Sequence, residues 1–317
     1  MSQPTVSVIM PVSNAALTLE RAIQSILNQT YANVTQIILA IGPSDDSTMN
    51  VAQKCQLLDR RIRIIENDSG LTAIGLNKAA TCATGDYLAR VDSHCRIPDD
   101  YIARALKTIT QTQAGNVGGI QNAVGITPYQ IAVASAMSSR FGVGDSKFHY
   151  GGDEGPTDTV YLGFYDADLF YKLGGFDETL IRNQDYELNV RIRKAGRIVW
   201  FDPSLIVDYF PRSNFSGLTS QYFQYGKWKR KVIRKDLSSI KLRQIIPPMN
   251  FLSFAVGTIL SIVLNPFFVI FPLIYICAVI IACSSIPRIT IKDRLKLLLI
   301  FPTMHFSWAI GFLFGVR

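Results

Sequence analysis

The chain of 317 residues is long enough to bury one large core, and it carries a formal net charge of +8 with 48% hydrophobic residues. The basic residues concentrate in a segment that directly precedes a strongly apolar C-terminal region. Because an apolar neighbour favours lipid over nucleic acid as the partner of a basic segment, we expect membrane lipid and no nucleic acid as a partner.

The cysteine pattern indicates reduced thiols. The chain forms no Cys-x-x-Cys pair and no disulfide-like framework from its five cysteines, which are Cys55, Cys82, Cys95, Cys277 and Cys283. Disulfides are rare in reducing compartments, and the N-terminus shows no signal-peptide pattern. We therefore expect the main domain to lie in the cytosol.

The first hundred residues alternate between apolar runs and segments with helical periodicity. The runs TVSVIMP, QIILAIG, RIRIIEN and DYLARVD predict four buried strands, and LTLERAIQSILNQ, STMNVAQKCQLL and TAIGLNKAATCA predict three helices between them. This alternation favours βαβ crossovers and an α/β, doubly wound, mostly parallel sheet with helices on both faces.

Polar and small residues follow each predicted strand of this region, at 11–14, 41–46, 67–70 and 92–94. In sheets of this kind, ligands bind beyond the carboxyl ends of the strands. We therefore expect these four segments to line one crevice.

The periodicity weakens after about residue 115. GGIQNAV predicts a strand and IAVASAMSSRFG a helix, and the Gly-rich stretch 143–158 is expected to be a flexible loop beside the site. TVYLGFYDADLF and the turn GGFDE follow, and NQDYELNVRIRKAG predicts a helix that ends at Gly196. IVWFDP then predicts a further strand.

The C-terminal region combines a basic segment with three apolar stretches. QYFQYGKWKRKVIRKDLSSIKLRQ interleaves Lys and Arg with aromatic residues, and the apolar stretches occupy roughly residues 246–264, 267–286 and 297–315. Because about 20 apolar residues suffice to cross a bilayer, they predict three transmembrane helices, the first interrupted by Pro247-Pro248. A buried helical core covered by a soluble partner is the alternative.

A short basic region separates the second and third apolar stretches and contains Arg288, Lys292, Arg294 and Lys296. By the positive-inside rule, this region and the basic segment lie on the cytosolic side, which three spans permit. Because the predicted strands precede the spans, a chain cut near Arg243 is expected to fold on its own.

Four segments occur in an order and spacing that resemble family 2 glycosyltransferases of the GT-A fold. They are PVSNAALTLERAIQSILNQTY, NDSGLTAIGLNKAATCATGDYLARVDSH, GGFDETLIRNQDYELNVRIRKAG and QYFQYGKW. The chain is most similar to membrane-attached bacterial members of the succinoglycan glucosyltransferase type. The resemblance implies a cytosolic GT-A catalytic domain over 1–220, a basic amphipathic interfacial segment over 221–245, and a membrane domain with three transmembrane helices over 246–317.

The resemblance implies a set of residues that bind the nucleotide-sugar donor: Pro11, Val12, Ser13, Asn14, Gly42, Asn77, Lys78, Arg90 and Asp92. An ordinary strand-to-helix turn is the alternative for 11–14, and a solvated helix face is the alternative for Lys78. The second strand lacks the family's Asp-Asp-Gly-Ser. Its carboxylates arrive only at Asp45 and Asp46, which either reach the donor or cap the next helix.

Asp92-Ser93-His94 occupies the place of the family's Asp-x-Asp metal motif. A divalent cation there neutralises the charge of the departing diphosphate. Carboxylates suit Mg²⁺ and imidazole suits Mn²⁺ or softer metals, so Asp92 and His94 predict a working site with an altered metal preference. The alternative is that His94 caps a turn while Asp92 alone meets metal and phosphates. Cys95 is expected to be a buried thiol.

Asp185 matches the family's catalytic carboxylate at the start of a helix. A carboxylate there would remove the proton from the attacking sugar hydroxyl, which is a poor nucleophile by itself. Stabilisation of the helix N-terminus is the alternative. Gln224, Lys227 and Trp228 resemble the family's Gln-x-x-Arg-Trp acceptor motif with Lys in place of Arg, and a membrane anchor is the alternative for Trp228.

Together these features predict an inverting, metal-dependent glycosyltransferase with a divalent Mn or Mg cofactor. Its expected donor is a nucleotide-diphosphate sugar, and its expected acceptor is a hydroxyl of a lipid-linked saccharide in cell-surface polysaccharide or glycolipid synthesis. A polyprenyl-phosphate glycosyltransferase and a non-catalytic scaffold that binds nucleotide sugars are the alternatives. We expect a multi-pass inner-membrane protein with its catalytic domain on the cytoplasmic face, compatible with a homo-oligomer.

Overall fold

The computed structural model describes residues 3–287 and 289–315. These residues form two compact units, each assembled from two parts of the chain. Unit 1 comprises the chain up to Asn122 together with Gly151–Tyr209, and unit 2 comprises Ala123–Tyr150 together with the chain from Phe210 onwards. The chain therefore leaves unit 1 after Asn122 and returns to it at Gly151.

Unit 1 contains a sheet and its covering helices. In chain order its first elements are β1 (Val6–Val12), α1 (Leu19–Leu27), β2 (Val34–Ile41), α2 (Thr48–Leu58), β3 (Ile62–Glu66), α3 (Thr72–Thr81), β4 (Tyr87–Arg90), α4 (Tyr101–Thr112) and β5 (Asn116–Ala123). Unit 2 then contributes α5 (Pro128–Met137), α6 (Arg140–Val143) and α7 (Lys147–Tyr150). Unit 1 resumes with β6 (Gly155–Pro156), β7 (Tyr161–Asp166), α8 (Ala167–Lys172), α9 (Gln184–Lys194) and β8 (Val199–Tyr209).

The sheet has eight strands in the order β3-β2-β1-β4-β7-β5-β8-β6. β1 pairs in parallel with β2 and β4, and β2 pairs in parallel with β3. β7 runs antiparallel to β4 and β5, and β6 runs antiparallel to β8, so the sheet is mixed. The strands and helices predicted for the first hundred residues are all present.

The core forms because the central strands are apolar on both faces. Val8, Ile9 and Met10 of β1 are fully buried, as expected for a strand covered by helices on both sides. On α1, the buried residues Leu19 and Ile23 lie on the predicted helical face.

The order of the strands reverses at β1, which has β2 on one side and β4 on the other. In open α/β sheets, ligands bind beyond the strand carboxyl ends at such a reversal. A ligand site is therefore expected at the segments that follow β1 and β4.

The stretch 143–158 is not the single flexible loop that its glycines suggest. It contains helix α7 and strand β6, whose Gly155 and Pro156 pair with Phe201 and Trp200 of β8. The prediction was wrong because a short edge strand takes its hydrogen bonds from a distant partner that local composition does not reveal.

The rest of unit 2 is helical. Its elements are α10 (Phe215–Lys235), a 3₁₀ turn (Leu237–Ser239), α11 (Leu242–Val263), a second 3₁₀ turn (Pro266–Val269), α12 (Ile270–Ser285) and α13 (Ile291–Phe314). The predicted boundaries at 220 and 245 fall inside α10 and α11, which are continuous helices. The three-part division of the chain stays a prediction.

Three helices of the described residues are long and apolar enough to cross a membrane: Leu242–Val263, Pro266–Ser285 and Ile291–Phe314. The first begins before the predicted position, and Pro247 and Pro248 lie inside it, where each removes one i→i−4 backbone hydrogen bond without ending the helix. The third begins earlier because Thr290 caps it, accepting a hydrogen bond from the Asp293 amide at 3.1 Å. Lys292 therefore lies in a helix and not in a loop. Arg288 lies outside the described residues.

The three apolar helices differ in how much of their surface unit 2 covers. The buried share of their most apolar parts rises from 11% in the first to 28% in the second and 50% in the third. The third, α13, packs against α10 through two glycines. A Cβ at Gly226 would lie 2.0 Å from the Trp308 carbonyl oxygen, and a Cβ at Gly311 would lie 2.0 Å from the Phe223 carbonyl oxygen.

Candidate active site

The carboxyl ends of β1, β2 and β3 are joined by backbone hydrogen bonds. The Gly42 amide donates to the Val12 carbonyl and the Asn67 amide to the Ile41 carbonyl, both at 2.8 Å. A Cβ on Gly42 would lie 3.0 Å from the Gly70 Cα, so the close approach of the two loops requires glycine there. The three strand ends therefore form one continuous edge.

Side chains tie the loop after β1 to the loop after β2. The Ser13 hydroxyl donates to the Pro43 carbonyl at 2.9 Å, and the Asn14 Oδ1 accepts from the Asp45 amide at 2.8 Å. The Asn14 amide donates to the Ser44 hydroxyl at 3.0 Å, and Asn14 has φ +46°. Five predicted donor residues thus lie along this edge: Pro11, Val12, Ser13, Asn14 and Gly42.

Asp46 acts as a cap. Its carboxylate accepts from the Ala16 amide at 3.1 Å and from the Thr48 amide at 3.0 Å, and it also accepts from the Thr48 hydroxyl. The hydrogen bond from the Thr48 hydroxyl outweighs burial and, with the backbone amides, holds the pKa of Asp46 below its usual value. The capping alternative therefore describes Asp46, whereas Asp45 has an exposed side chain on the same loop.

The two residues predicted on α3 have different surroundings. The Lys78 ammonium donates to the Glu66 carbonyl at 3.1 Å and lies 3.8 Å from the Asp68 carboxylate, at the carboxyl end of β3. The Asn77 amide is instead hydrogen-bonded to the turn that contains Phe176, at 2.8 Å and 2.9 Å. Lys78 thus lies at the edge formed by the strand ends, where the other predicted donor residues lie, and Asn77 binds a turn; donor binding by both stays a prediction.

Arg90 and Asp92 form a buried, two-pronged ion pair. Nε of Arg90 is 2.8 Å from Oδ1 of Asp92, and Nη2 is 3.1 Å from Oδ2. Each side chain is 11% exposed. Burial would raise the pKa of Asp92, but the positive charge of Arg90, followed by those of His94 and Arg182, lowers the pKa below its usual value. Asp92 is therefore held as a carboxylate.

Asp92, His94 and Cys95 form a cluster of metal-ligating side chains, with their ligand atoms within 4.8 Å of one another. Burial, followed by the charge of Asp92, raises the pKa of the Cys95 thiol to about 12, and its Sγ lies 3.0 Å from the Tyr161 hydroxyl. Cys95 is thus held as a thiol, which is not the form that binds metal. The carboxylate of Asp92 and the exposed imidazole of His94 fit a divalent cation of the Mn²⁺ type.

Asp185 lies in the first turn of α9, after Asn183, which has φ +62°. Its Oδ1 accepts from the Tyr186 amide at 2.8 Å, which leaves the second carboxylate oxygen for another partner. Burial would lower the pKa of Arg90, but the charge of Asp92, and to a smaller extent that of Asp185, raises it. The negative charge of Asp185 thus acts on the same guanidinium that binds Asp92.

The predicted acceptor residues lie on α10, in unit 2. Nε1 of Trp228 donates to Oε1 of Gln224 at 3.0 Å, and the Lys231 ammonium lies 4.8 Å from the centre of the Trp228 ring. A Cβ at Gly315 would lie 2.8 Å from the Cβ of Lys227, so Lys227 lies beside the end of α13. Gln224, Lys227 and Trp228 are all partly buried.

Comparison with known protein families gives a match to residues 7–174, more than half of the chain, and the matching family is "Glycosyl transferase family 2". The chain belongs to glycosyl transferase family 2. The predicted resemblance is confirmed, and unit 1 carries most of the family's characteristic region.

Two curated relatives of this family 2 chain match it over most of their length. It is 30% identical over 258 residues to "Succinoglycan biosynthesis protein ExoA" of Rhizobium meliloti (strain 1021), covering 81% of this chain and 78% of the relative. It is 26% identical over 324 residues to "Dolichyl N-acetyl-alpha-D-glucosaminyl phosphate 3-beta-D-2,3-diacetamido-2,3-dideoxy-beta-D-glucuronosyltransferase" of Methanococcus voltae, covering 98% and 97%.

Solved structures confirm the predicted GT-A fold class. Mannosyltransferase PcManGT from Pyrobaculum calidifontis, in complex with GDP-Man and Mn²⁺, matches with a TM-score of 0.64 and 16% identity, covering 100% of this chain and 89% of that chain. S. aureus TarS 1–349 matches with a TM-score of 0.54 and 16% identity, covering 97% and 90%.

Three residues near the ion pair of this family 2 chain were not predicted. Tyr161 and Tyr165 come from β7, whose antiparallel pairing places Gly163 opposite Arg90. Arg182, from the loop before α9, contributes a positive charge at Asp92. Simple alternation could not have placed the two tyrosines, because Leu162 between them has φ +53° and the register with β5 shifts there. The pairing of β7 with β4 brings this strand beside Arg90.

Proposed function

We propose that this chain transfers a sugar from a nucleotide-diphosphate donor to a hydroxyl of a lipid-linked acceptor, with inversion at the anomeric carbon. One observation carries this proposal: in a family 2 chain, the ligand atoms of Asp92 and His94 lie within 4.8 Å of each other directly after β4. A carboxylate and an imidazole so placed can hold the divalent cation that a nucleotide-diphosphate donor needs, which supports a reaction centre at this strand end.

Asp185 acts as the general base in this proposal. It accepts the proton of the acceptor hydroxyl as that oxygen forms a bond to the anomeric carbon. The bond from the anomeric carbon to the diphosphate oxygen breaks, and its electron pair leaves with the diphosphate. Because the acceptor replaces the leaving group in one displacement, the configuration at that carbon is inverted.

Asp92 and His94 hold the divalent cation in this proposal. When bound, the cation neutralises negative charge on the departing diphosphate. The donor's nucleotide lies along the edge formed by 11–14 and 42–45, where backbone groups already hold fixed positions. Lys78, at the end of β3, offers a point charge to a phosphate.

A lipid-linked acceptor is supported by the relatives and by the apolar helices. The Methanococcus voltae relative is named for a dolichyl-phosphate-linked sugar, and the Rhizobium relative for succinoglycan biosynthesis. The exposed apolar surfaces of α11 and α12 support membrane association. We therefore propose a multi-pass protein of the cell membrane with unit 1 at the cytoplasmic face and Gln224, Lys227 and Trp228 near the acceptor.

The proposal is tested by assaying the purified full-length chain with a panel of nucleotide sugars, Mn²⁺ or Mg²⁺, and a membrane lipid extract. Release of nucleoside diphosphate together with a sugar-bearing lipid of inverted configuration is the expected result. Asp185→Asn should lower turnover by about 10²–10⁴-fold while donor binding persists, because only the proton acceptor is lost.

Each alternative gives a different outcome in the same assay. A scaffold that only binds nucleotide sugars releases no nucleoside diphosphate. If Asp185→Asn stays within a few-fold of wild type, the acceptor is a group that is already ionised, such as polyprenyl phosphate, and Asp185 leaves the mechanism.

A further inference from the structure

Arg90 donates hydrogen bonds to both carboxylate oxygens of Asp92, the oxygens that a metal ion would bind. Its fork meets Oδ1 of Asp92 at 2.8 Å and Oδ2 at 3.1 Å. Arg90 and Asp92 are two residues apart at the end of β4, where the period of a strand turns them to the same face. A cation that approaches Asp92 therefore meets a fixed positive charge within hydrogen-bonding distance of its ligand.

A role in stability alone does not explain this pair. Buried ion pairs are often no more stabilising than apolar side chains of similar volume, because both charges lose their hydration. The negative charge of Asp185, on α9, also acts on Arg90, although less than that of Asp92 does. The guanidinium therefore lies in a field set by two carboxylates, of which Asp92 is the one in direct contact.

We propose that Arg90 is a resident cation that keeps the metal site weak until the donor's diphosphate arrives. Without the donor, Arg90 neutralises Asp92 and repels a divalent ion from it. With the donor, the diphosphate supplies negative charge for both cations, and Arg90 shifts toward the diphosphate and Asp185 while the metal binds Asp92 and His94. Metal and nucleotide therefore bind cooperatively. This inference rests on the proposed function, since it assumes the metal site at Asp92 and His94.

The test measures Mn²⁺ binding by electron paramagnetic resonance of the full-length chain in detergent at pH 8, with and without UDP or GDP. The wild type should bind Mn²⁺ weakly alone and at least about tenfold more tightly with the nucleotide, since each ligand lowers the electrostatic cost of the other. Arg90→Met removes the charge but keeps an unbranched side chain. It should bind Mn²⁺ alone about tenfold or more tightly than the wild type, and the nucleotide should add little.

Arg90→Lys is the matched control, because it keeps the charge but loses the fork. It should bind Mn²⁺ alone as weakly as the wild type does. A gain in affinity separates this role from a purely structural one, since a damaged fold loses metal and does not gain it.

Three results would overturn the inference. Tight Mn²⁺ binding by the wild type without nucleotide would do so, and this result is available even if Arg90→Met fails to fold. Equal affinities of folded Arg90→Met and wild type would remove the charge of Arg90 as the cause, while leaving the proposed metal site intact. Absence of Mn²⁺ binding in all variants, with and without nucleotide, would overturn the metal site itself and this inference with it.

Discussion

Asn77 joins helix α3 to the backbone of Phe176 by two hydrogen bonds. Its Nδ2 donates to the Phe176 carbonyl at 2.8 Å, and its Oδ1 accepts from the Phe176 amide at 2.9 Å. The Phe176 turn leads into α9, whose first turn carries Asp185. Asn77 therefore links α3, which follows β3 and its loop, to the segment that leads into α9 and the proposed base, Asp185.

Asn77→Ala should lower turnover more than donor affinity. The change removes both bonds to Phe176, which should cost about 1–3 kcal/mol of stability. A small displacement of Asp185 would lower turnover by roughly 10- to 100-fold. Calorimetric titration of the donor and a turnover assay on the same preparation separate the two effects.

Glu178→Ala is the control for this prediction. Glu178 accepts only one further hydrogen bond from Asn77, at 2.9 Å, so its removal leaves both bonds to Phe176 in place. Near-normal turnover is expected. If Asn77→Ala instead weakens donor binding while turnover of bound donor is unchanged, Asn77 contacts the donor.

Protonation of Asp46 in acid should weaken its hydrogen bonds to the loop after β1 and to α2, and should thereby lower nucleotide affinity. Since the pKa of Asp46 is lowered in the folded chain, its stabilisation is complete above the unfolded value of about 3.9 and is lost as pH falls through the lower folded value. Nucleotide affinity should therefore be insensitive to Asp46 between about pH 5 and 8. Titration of nucleotide affinity from pH 7 to pH 3 should show a step at the acid end.

Asp46→Asn should weaken nucleotide binding at neutral pH and reduce the acid step, because the amide cannot accept all of the present hydrogen bonds. Asp45→Asn, at an exposed position of the same loop, should retain the step. A step of equal size in Asp46→Asn would assign it to another group.

His94→Asp should shift the metal preference from Mn²⁺ towards Mg²⁺, because it replaces an imidazole with an oxygen ligand. The ratio of activities with the two metals is the measurement. Cys95→Ser is the matched control, since its hydroxyl can keep the contact with Tyr161 and the wild-type ratio should persist. An unchanged ratio in His94→Asp would favour the turn-capping alternative.

The close packing of α10 on α13 predicts that Gly226→Ala is destabilising. The new methyl group would lie 2.0 Å from the Trp308 carbonyl oxygen, so one helix must shift. Overpacking of this kind costs about 1–3 kcal/mol, which thermal unfolding in detergent would detect. Ser220→Ala, at an exposed position of α10, should leave the unfolding temperature unchanged.

A chain cut near Arg243 should fold poorly, contrary to the expectation from the sequence. The cut removes α13, against which α5, α6 and α10 pack. We expect aggregated or detergent-dependent material in size-exclusion chromatography. A monomeric, detergent-free protein that binds nucleotide would show that unit 1 folds without the remainder of unit 2.

Local pattern was sufficient to predict the elements of the first hundred residues, whereas metal binding by Asp92 and His94 stays a prediction. The alternation of apolar runs and helical segments predicts β1 to β4, and Asp92 and His94 follow directly from the end of β4. The proximity of the loops that follow β1, β2 and β3 follows from the geometry of parallel strands, whose carboxyl ends meet at one edge.

Contacts between distant segments could not be predicted. The two hydrogen bonds of Asn77 to Phe176 could not be foreseen, because the two residues lie 99 positions apart, and donor binding by Asn77 stays a prediction. Asp46 has its hydrogen-bonding capacity filled partly by Ala16, on another loop. The assignment of 123–150 to unit 2 depends on α13, at the other end of the chain. In each case the position of the residue depends on a contact between segments far apart in the sequence, which local composition cannot predict.

The divided sequence of unit 2 has a consequence for synthesis of the chain. Helix α5 buries Ala132, Val133 and Met137, and the helix it packs against, α13, is translated more than 150 residues later. At about 5–20 residues per second, α5 emerges from the ribosome on the order of ten seconds or more before α13. During that interval the remaining strands of unit 1 are translated while α5 still lacks α13. Early docking of α5 onto the bilayer or a chaperone would protect its apolar face until α13 is made.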